Sequence, residues 1–109
     1  MKRILAIFLF VTSASFTVNS AELKFICYQD INECDTIADM AKSWEASTGH
    51  TLNIETVGYE VIREQLENQL ESGAAPDLAR VTNLGGLNKF YLDLKPYVDS
   101  SYWLSLIHI

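Results

Sequence analysis

Residues 23–58, LKFICYQDINECDTIADMAKSWEASTGHTLNIETVG, decide the fold of this chain. The run 23–27 is mostly apolar, as in a strand that is buried on both faces. A polar loop over residues 28–33 follows, and then apolar residues recur at helical spacing at Ile37, Met40, Ala41 and Trp44. Gly49 is typical of a left-handed helix stop. Residues 51–57 alternate with period two and are rich in β-branched side chains, so the stretch predicts a strand, a helix and a second strand.

The alternation of helix and strand continues after Gly58. A second helix is indicated by a stretch with one apolar and one charged face, and Gly73 ends it. The run 78–81 predicts a third strand, and a turn-and-helix segment follows. The apolar positions are Tyr59, Ile62, Leu66 and Leu70 in the second helix, and Leu84, Leu87, Phe90 and Tyr91 in the last segment. This order predicts an α/β fold with three parallel strands and crossover helices.

The first twenty residues have the layout of a secretory signal peptide. Lys2 and Arg3 precede an apolar run over residues 4–11, which is too short to span a membrane before polar residues interrupt it. We expect cleavage near Ser20 and Ala21, either before Ala21 or one residue later. The product is then released into the periplasm. Cleavage leaves six basic against fourteen acidic side chains, so the net charge falls from -6 to -8. Nucleic acid is therefore a poor partner.

The chain has two cysteines, Cys27 and Cys34. In an exported protein they suggest a disulfide, because the periplasm is oxidising. Two alternatives stay open: a pair of buried thiols that pack as small apolar groups, and a redox-active pair. Their spacing is not the C-x-x-C of thiol-disulfide enzymes, which weighs against the last alternative.

The C-terminal end of the chain raises a separate expectation. Residues 104–109, LSLIHI, match the translation of the end sequence of a widely used transposase-based sequencing adaptor. We therefore expect residues 104–109 not to belong to the native sequence, which would depart from the present one after Trp103, and His108 to have no functional role. Residues 21–103 hold only three strands and their helices, so the sheet is expected to be incomplete, with an apolar edge.

Three motifs in residues 23–103 resemble elements of the extracellular solute-binding proteins of ABC importers, in particular the sugar-binding group that includes maltodextrin-binding protein. Residues 44–49 (WEASTG) resemble its F-E-x-x-T-G element, with Trp44 in place of phenylalanine. Residues 70–78 (LESGAAPDL) resemble its A-S-G-x-x-P-D element, and residues 92–97 (LDLKPY) resemble its leucine-rich element that ends in proline and tyrosine or leucine. Tyr91 stands where the family often has glycine.

The resemblance implies a periplasmic substrate-binding component of an ABC transporter for carbohydrate uptake, of which this chain is part of the N-terminal lobe. Such proteins have two lobes that close on a small-molecule ligand and present it to a permease in the inner membrane. The resemblance implies no cofactor and no enzymatic activity, and the sequence has no catalytic triad, paired catalytic carboxylates or phosphate loop. Two other functions stay open: an exported thiol-disulfide protein, and a small periplasmic module that binds a partner protein.

The candidate ligand-binding residues follow the three predicted strands, because ligands of open α/β sheets bind at the carboxyl ends of the strands. They are Tyr28, Gln29 and Asp30 after the first strand, Tyr59 and Glu60 after the second, and Arg80, Thr82 and Asn83 at the third. Amide and carboxylate groups exchange hydrogen bonds with sugar hydroxyls, and a tyrosine ring can pack on a sugar.

Several of these residues also have structural interpretations. Asp30 could cap the next helix, Tyr28 could cover the core, and Arg80 could pair with Asp77. Asp77 itself is expected to make backbone or capping hydrogen bonds. Trp44 is expected to pack in the core, and no metal site is expected, since His50 has no partner at metal-ligand spacing and should lie on the surface.

Overall fold

The computed structural model describes residues 19–107. The predicted signal peptide, apart from residues 19 and 20, and His108 lie outside the described residues. The strands are β1 (Glu22–Tyr28), β2 (Thr51–Val57) and β3 (Leu78–Ala79); the helices are α1 (Glu33–Thr48), α2 (Tyr59–Ser72) and α3 (Ser100–Ile107); two 3-10 turns span Asn88–Phe90 and Lys95–Tyr97.

The three strands form one parallel sheet in the order β2-β1-β3. In the register, Phe25 of β1 lies between Ile54 of β2 and Leu78 of β3. The central position of β1 agrees with its apolar run, because a central strand of a covered sheet is buried on both faces. The predicted α/β fold with three parallel strands is therefore confirmed.

The two long helices cover opposite faces of the sheet. Successive side chains of a strand point to opposite faces, and Cys27 of β1 is bonded to Cys34 of α1. Tyr28, the next residue, faces the other way, into a core that α2 completes. The buried members of that core are Ile26, Tyr28, Ile62, Leu66 and Leu87. A parallel sheet with a helix on each face is the doubly wound arrangement.

Glycines end both long helices. Gly49 and Gly73 have φ angles of 73° and 74°, in the left-handed region that glycine occupies without steric cost. The Gly49 N–H donates to the carbonyl oxygen of Glu45, which satisfies one of the free carbonyls at the end of α1. Both predicted stops are confirmed.

The helix predicted after the third strand is not formed. Residues 84–87 are turns, and only Asn88–Phe90 make a single 3-10 turn. The Gly86 N–H donates to Asn83 Oδ1 at 3.0 Å, and a Cβ at Gly86 would collide with the Asn83 side chain. This side-chain bond and the adjacent Gly85 hold the segment as a turn, which keeps only Leu87 buried in the core.

The apolar stripe of α1 is only partly covered by the sheet. Ala41 is buried and Trp44 is half-buried, but Met40 is 70% exposed. Met40 borders an apolar groove between α1 and the sheet, lined also by Leu23, Ile37, Trp44, Leu52 and Leu78. The prediction that Trp44 packs into a closed core therefore holds only in part.

None of the described helices combines the length and the apolar character needed to cross a bilayer.

Candidate ligand site

The carboxyl ends of the three strands lie at one edge of the sheet, because all three strands are parallel. The loops that leave this edge begin at Gln29, Gly58 and Arg80. These loops, the last residue of β1 and the first turn of α2 carry all eight residues that the sequence predicted as ligand-binding. The structure joins five of them, Tyr28, Asp30, Tyr59, Arg80 and Thr82, in one connected network and bonds the other three to residues outside it.

Arg80 is the centre of this network. Its Nη1 donates to the Tyr28 carbonyl oxygen, and its Nη2 lies 3.2 Å from Asp30 Oδ2. The same nitrogen lies 3.7 Å from Glu33 Oε1. Its guanidinium carbon is 3.9 Å from the centroid of the Tyr28 ring, which is the geometry of a cation-π contact. Arg80 thereby ties the end of the central strand to the loop that follows β3.

The predicted ion pair between Arg80 and Asp77 does not form. Asp77 Oδ2 accepts the Lys24 N–H at 2.8 Å, and the Asp77 N–H donates to the Lys24 carbonyl oxygen at 2.9 Å. The strand register explains this, since Asp77 precedes the Leu78–Phe25 pair and so lies beside Lys24. The expected backbone bonds of Asp77 are present, and Arg80, three residues further along, reaches the carboxyl end of β1.

The two tyrosines of the network differ in their exposure. Tyr28 is buried at 7% exposure, so it covers the core, whereas Tyr59 is 41% exposed. Their rings meet edge to face with centroids 5.1 Å apart. The Tyr59 hydroxyl is 3.1 Å from Thr82 Oγ1, which joins the start of α2 to the loop after β3. Tyr59 is therefore the aromatic ring of this network that a ligand could reach.

The remaining three predicted residues have partners of their own. Gln29 exchanges two hydrogen bonds of 3.3 Å with Asp35, one with its carboxylate and one with its N–H. Glu60 forms an ion pair with Arg63 along α2. Asn83 accepts the Gly86 N–H, as described above, but it also lines a small cleft with Tyr59 and Thr82. This cleft lies between α2 and the loop after β3 and has a volume of about 60 Å³.

Glu33 belongs to the network although the sequence did not single it out. Its Oε2 accepts the N–H groups of Asp30 and Ile31, each at 3.0 Å. These bonds lower the pKa of Glu33, with the bonds from Ile31 and from its own N–H as the main causes and the charge of Arg80 as a smaller one. Asp30 does not cap α1, whose N-cap residue Asn32 has no side-chain cap bond. The signal in the sequence was an acidic residue at the end of the polar loop, immediately before the predicted helix.

A disulfide closes the loop that carries Tyr28, Asp30 and Glu33. It joins Cys27 to Cys34 with the Cα atoms 6.0 Å apart, and the two residues are 0% and 1% exposed. The end of β1 and the first turn of α1, which both contribute to the network, are therefore covalently linked. Among the described residues, no group of histidine, cysteine and acidic side chains is arranged to hold a metal ion.

Comparison with known proteins finds no counterpart: no family model, curated protein or solved structure matches the chain.

Proposed function

We propose that this chain is part of the N-terminal lobe of a periplasmic solute-binding protein of an ABC importer, and that it binds a carbohydrate. The observation that carries the proposal is the convergence of Tyr59, Thr82, Arg80 and Asp30 at the carboxyl edge of a doubly wound parallel sheet. Ligands of open α/β sheets bind at this edge.

The chemistry of the edge suits a polyhydroxylated ligand. Asp30 has a 63% exposed carboxylate that can accept hydrogen bonds from hydroxyl groups. Tyr59 offers a partly exposed ring on which the C–H face of a sugar can pack, and Thr82 lies beside its hydroxyl. The three motifs that resemble the solute-binding family support the same proposal from the sequence.

The size of the cleft supports the view that this chain supplies half of a site. The cleft beside Tyr59 holds about 60 Å³. Pockets that enclose a small molecule have volumes of roughly 300–1,000 Å³. In the proposed protein a second lobe closes over this edge about a hinge, and only the closed form buries the ligand and engages the permease. We therefore expect the chain on its own to bind sugars weakly.

Export is the second part of the proposal. The sequence of the first twenty residues has the layout of a signal peptide. The disulfide supports an oxidising compartment, since disulfides are rare in proteins kept among reduced thiols.

A thiol-disulfide function is the first alternative. Reactive cysteines are partly exposed in electropositive surroundings. Cys27 and Cys34 are both buried, and this favours a structural disulfide over a reactive one.

The partner-binding module is the second alternative, and one observation favours it. The groove beside Met40 is apolar and uncovered among the described residues, with a volume of about 410 Å³. Under the main proposal, further parts of the same lobe pack into this groove. The two functions differ in their ligands: a module that binds a partner protein in this groove is not expected to bind sugars at the strand ends.

Amide chemical shifts of the ¹⁵N-labelled protein, recorded during titration with maltose, test the proposed function. We expect fast-exchange shifts, with a dissociation constant in the millimolar range, confined to the loops over residues 28–33, 58–60 and 80–84. Unchanged spectra, or shifts confined to the groove beside Met40, would contradict the proposal.

A further inference from the structure

We infer that the site selects uncharged ligands and rejects anionic ones, and that the pairing of Arg80 sets this selectivity. The inference rests on the proposed function, since it specifies the ligand of that same site. Arginine is the residue that most often binds carboxylate and phosphate groups, through its planar fork of N–H donors. An arginine at a sugar site would ordinarily indicate an acidic or phosphorylated sugar.

Arg80 is not available for that role. One terminal nitrogen donates to the Tyr28 carbonyl oxygen, and the other lies between the carboxylates of Asp30 and Glu33. One planar face of the guanidinium lies over the Tyr28 ring, and the side chain is only 26% exposed. An anionic ligand would have to displace these partners and leave Asp30 and Glu33 beside its own charge, which costs free energy.

The charges around Arg80 act in the same direction. Residues 28–36, 58–64 and 80–84 contain two arginines and five acidic residues, which are Asp30, Glu33, Asp35, Glu60 and Glu64. The second arginine, Arg63, lines the cleft beside Tyr59, as does Glu67, but its guanidinium is paired with Glu60 at 2.5 Å and with Glu64 at 3.3 Å. The edge of the sheet therefore carries excess negative charge, which repels an approaching carboxylate or phosphate and has little effect on an uncharged sugar.

The groups exposed at this edge are a carboxylate, a hydroxyl and an aromatic ring, and each keeps part of its surface open although it also contacts a neighbour in the network. The Asp30 carboxylate is exposed, and the Tyr59 ring and the Thr82 hydroxyl border the cleft. These groups recognise hydroxyl donors and C–H faces, which a neutral sugar presents on all sides. Arg80 is thus a positioning residue that holds Asp30 and the strand end in place.

Parallel titrations of the ¹⁵N-labelled protein with maltose and with glucuronate test the inference. We expect maltose to shift the amides of Tyr59 and Thr82, and glucuronate to shift neither these nor the Arg80 side-chain Nε–H. Equal or larger shifts with glucuronate overturn the inference and leave the proposed function standing. Shifts with neither sugar overturn both.

A double substitution that frees Arg80 provides a gain-of-function test. Asp30→Asn with Glu33→Gln keeps an acceptor oxygen at each position but removes both charges beside the guanidinium. We expect the affinity for glucuronate to rise at least about tenfold and the Arg80 Nε–H to shift on binding. The matched control, Asp39→Asn with Glu55→Gln, makes the same change in net charge on α1 and β2. An equal gain in the control would show a general charge effect and contradict the role of Arg80.

Discussion

The guanidinium carbon of Arg80 lies 3.9 Å from the centroid of the Tyr28 ring, and the same side chain donates a hydrogen bond to the Tyr28 carbonyl oxygen. Tyr28 is the last residue of the central strand, and Arg80 directly follows the edge strand β3. Because β3 has only two residues, backbone pairing alone holds it weakly. The Arg80–Tyr28 contact therefore anchors the edge of the sheet at which the candidate site lies.

Replacing Arg80 with lysine keeps the positive charge but removes the planar fork. We expect Arg80→Lys to lower the free energy of unfolding by about 1–2 kcal/mol, because a charge-assisted hydrogen bond and part of the cation-π contact are lost. Urea denaturation measures the change. The control is Arg63→Lys, because the Arg63 side chain is 58% exposed. This substitution should lower the free energy of unfolding by no more than about 0.5 kcal/mol. Equal losses in the two variants would contradict the anchoring role of Arg80.

Removing the disulfide should destabilise the folded chain, because the unfolded chain then gains conformational entropy. The bond closes a loop with a sequence separation of 7 residues. The chain-entropy model gives about 2–3 kcal/mol for a loop of this size. We therefore expect the paired substitution of Cys27 and Cys34 by alanine to lower the urea midpoint, and a reducing agent to do the same to the native chain. A midpoint that a reductant leaves unchanged under unfolding conditions would contradict this prediction.

The lowered pKa of Glu33 gives stability a defined dependence on pH. Folding favours the ionised carboxylate, so its contribution is present above the ordinary pKa of a glutamate side chain and is lost as the pH falls through the lower pKa of the folded state. Glu33→Gln should therefore reduce the free energy of unfolding at neutral pH, and the difference from the native chain should narrow in acid. Urea denaturation over a pH series measures this difference. If the difference in the free energy of unfolding between the native chain and Glu33→Gln instead widened as the pH fell, the prediction would be contradicted.

Two glycines offer a test of backbone strain without a packing change. An added Cβ meets no atom within 4 Å at either Gly73 or Gly58. Gly73 has a φ angle of 74°, whereas Gly58 has a φ angle of -68°. Gly73→Ala should cost about 1–2 kcal/mol, since the left-handed region is strained for alanine. Gly58→Ala involves no such strain and should leave stability unchanged or raise it by up to about 1 kcal/mol. Similar melting temperatures for the two variants would contradict the left-handed stop at Gly73.

The sequence predicted the fold well where local chemistry decides it. The apolar run of β1, the alternation of β2 and the stops at Gly49 and Gly73 are local signals, and each is found in the structure. The failed prediction is the helix after β3, where apolar spacing suggested a helix but the paired glycines and the Asn83 side chain hold a turn. A hydrogen bond between a side chain and the backbone has no periodic signature, so the spacing could not reveal it.

The candidate site was predictable in its place and only partly in its contacts. The topological rule predicted that the three loops leave the same edge of the sheet, and they do, because parallel strands bring their carboxyl ends together. The partner of Arg80 was not predictable, since Asp77 is closer in sequence, whereas Asp30 and Glu33 reach Arg80 only through the folded loop after β1. The sequence likewise could not show that Tyr59 is exposed while Tyr28 is buried, since Tyr59 is the first residue of α2 and its exposure depends on where that helix packs.

The central claim is that this chain is part of a two-lobed solute receptor, and long sequencing reads of its gene across the codon for Trp103 test that claim most directly. The account predicts that the reading frame departs from the present sequence after Trp103 and continues through further alternating strands and helices, enough to complete this lobe and form a second one. A stop codon directly after Ile109 in adaptor-free reads would contradict it.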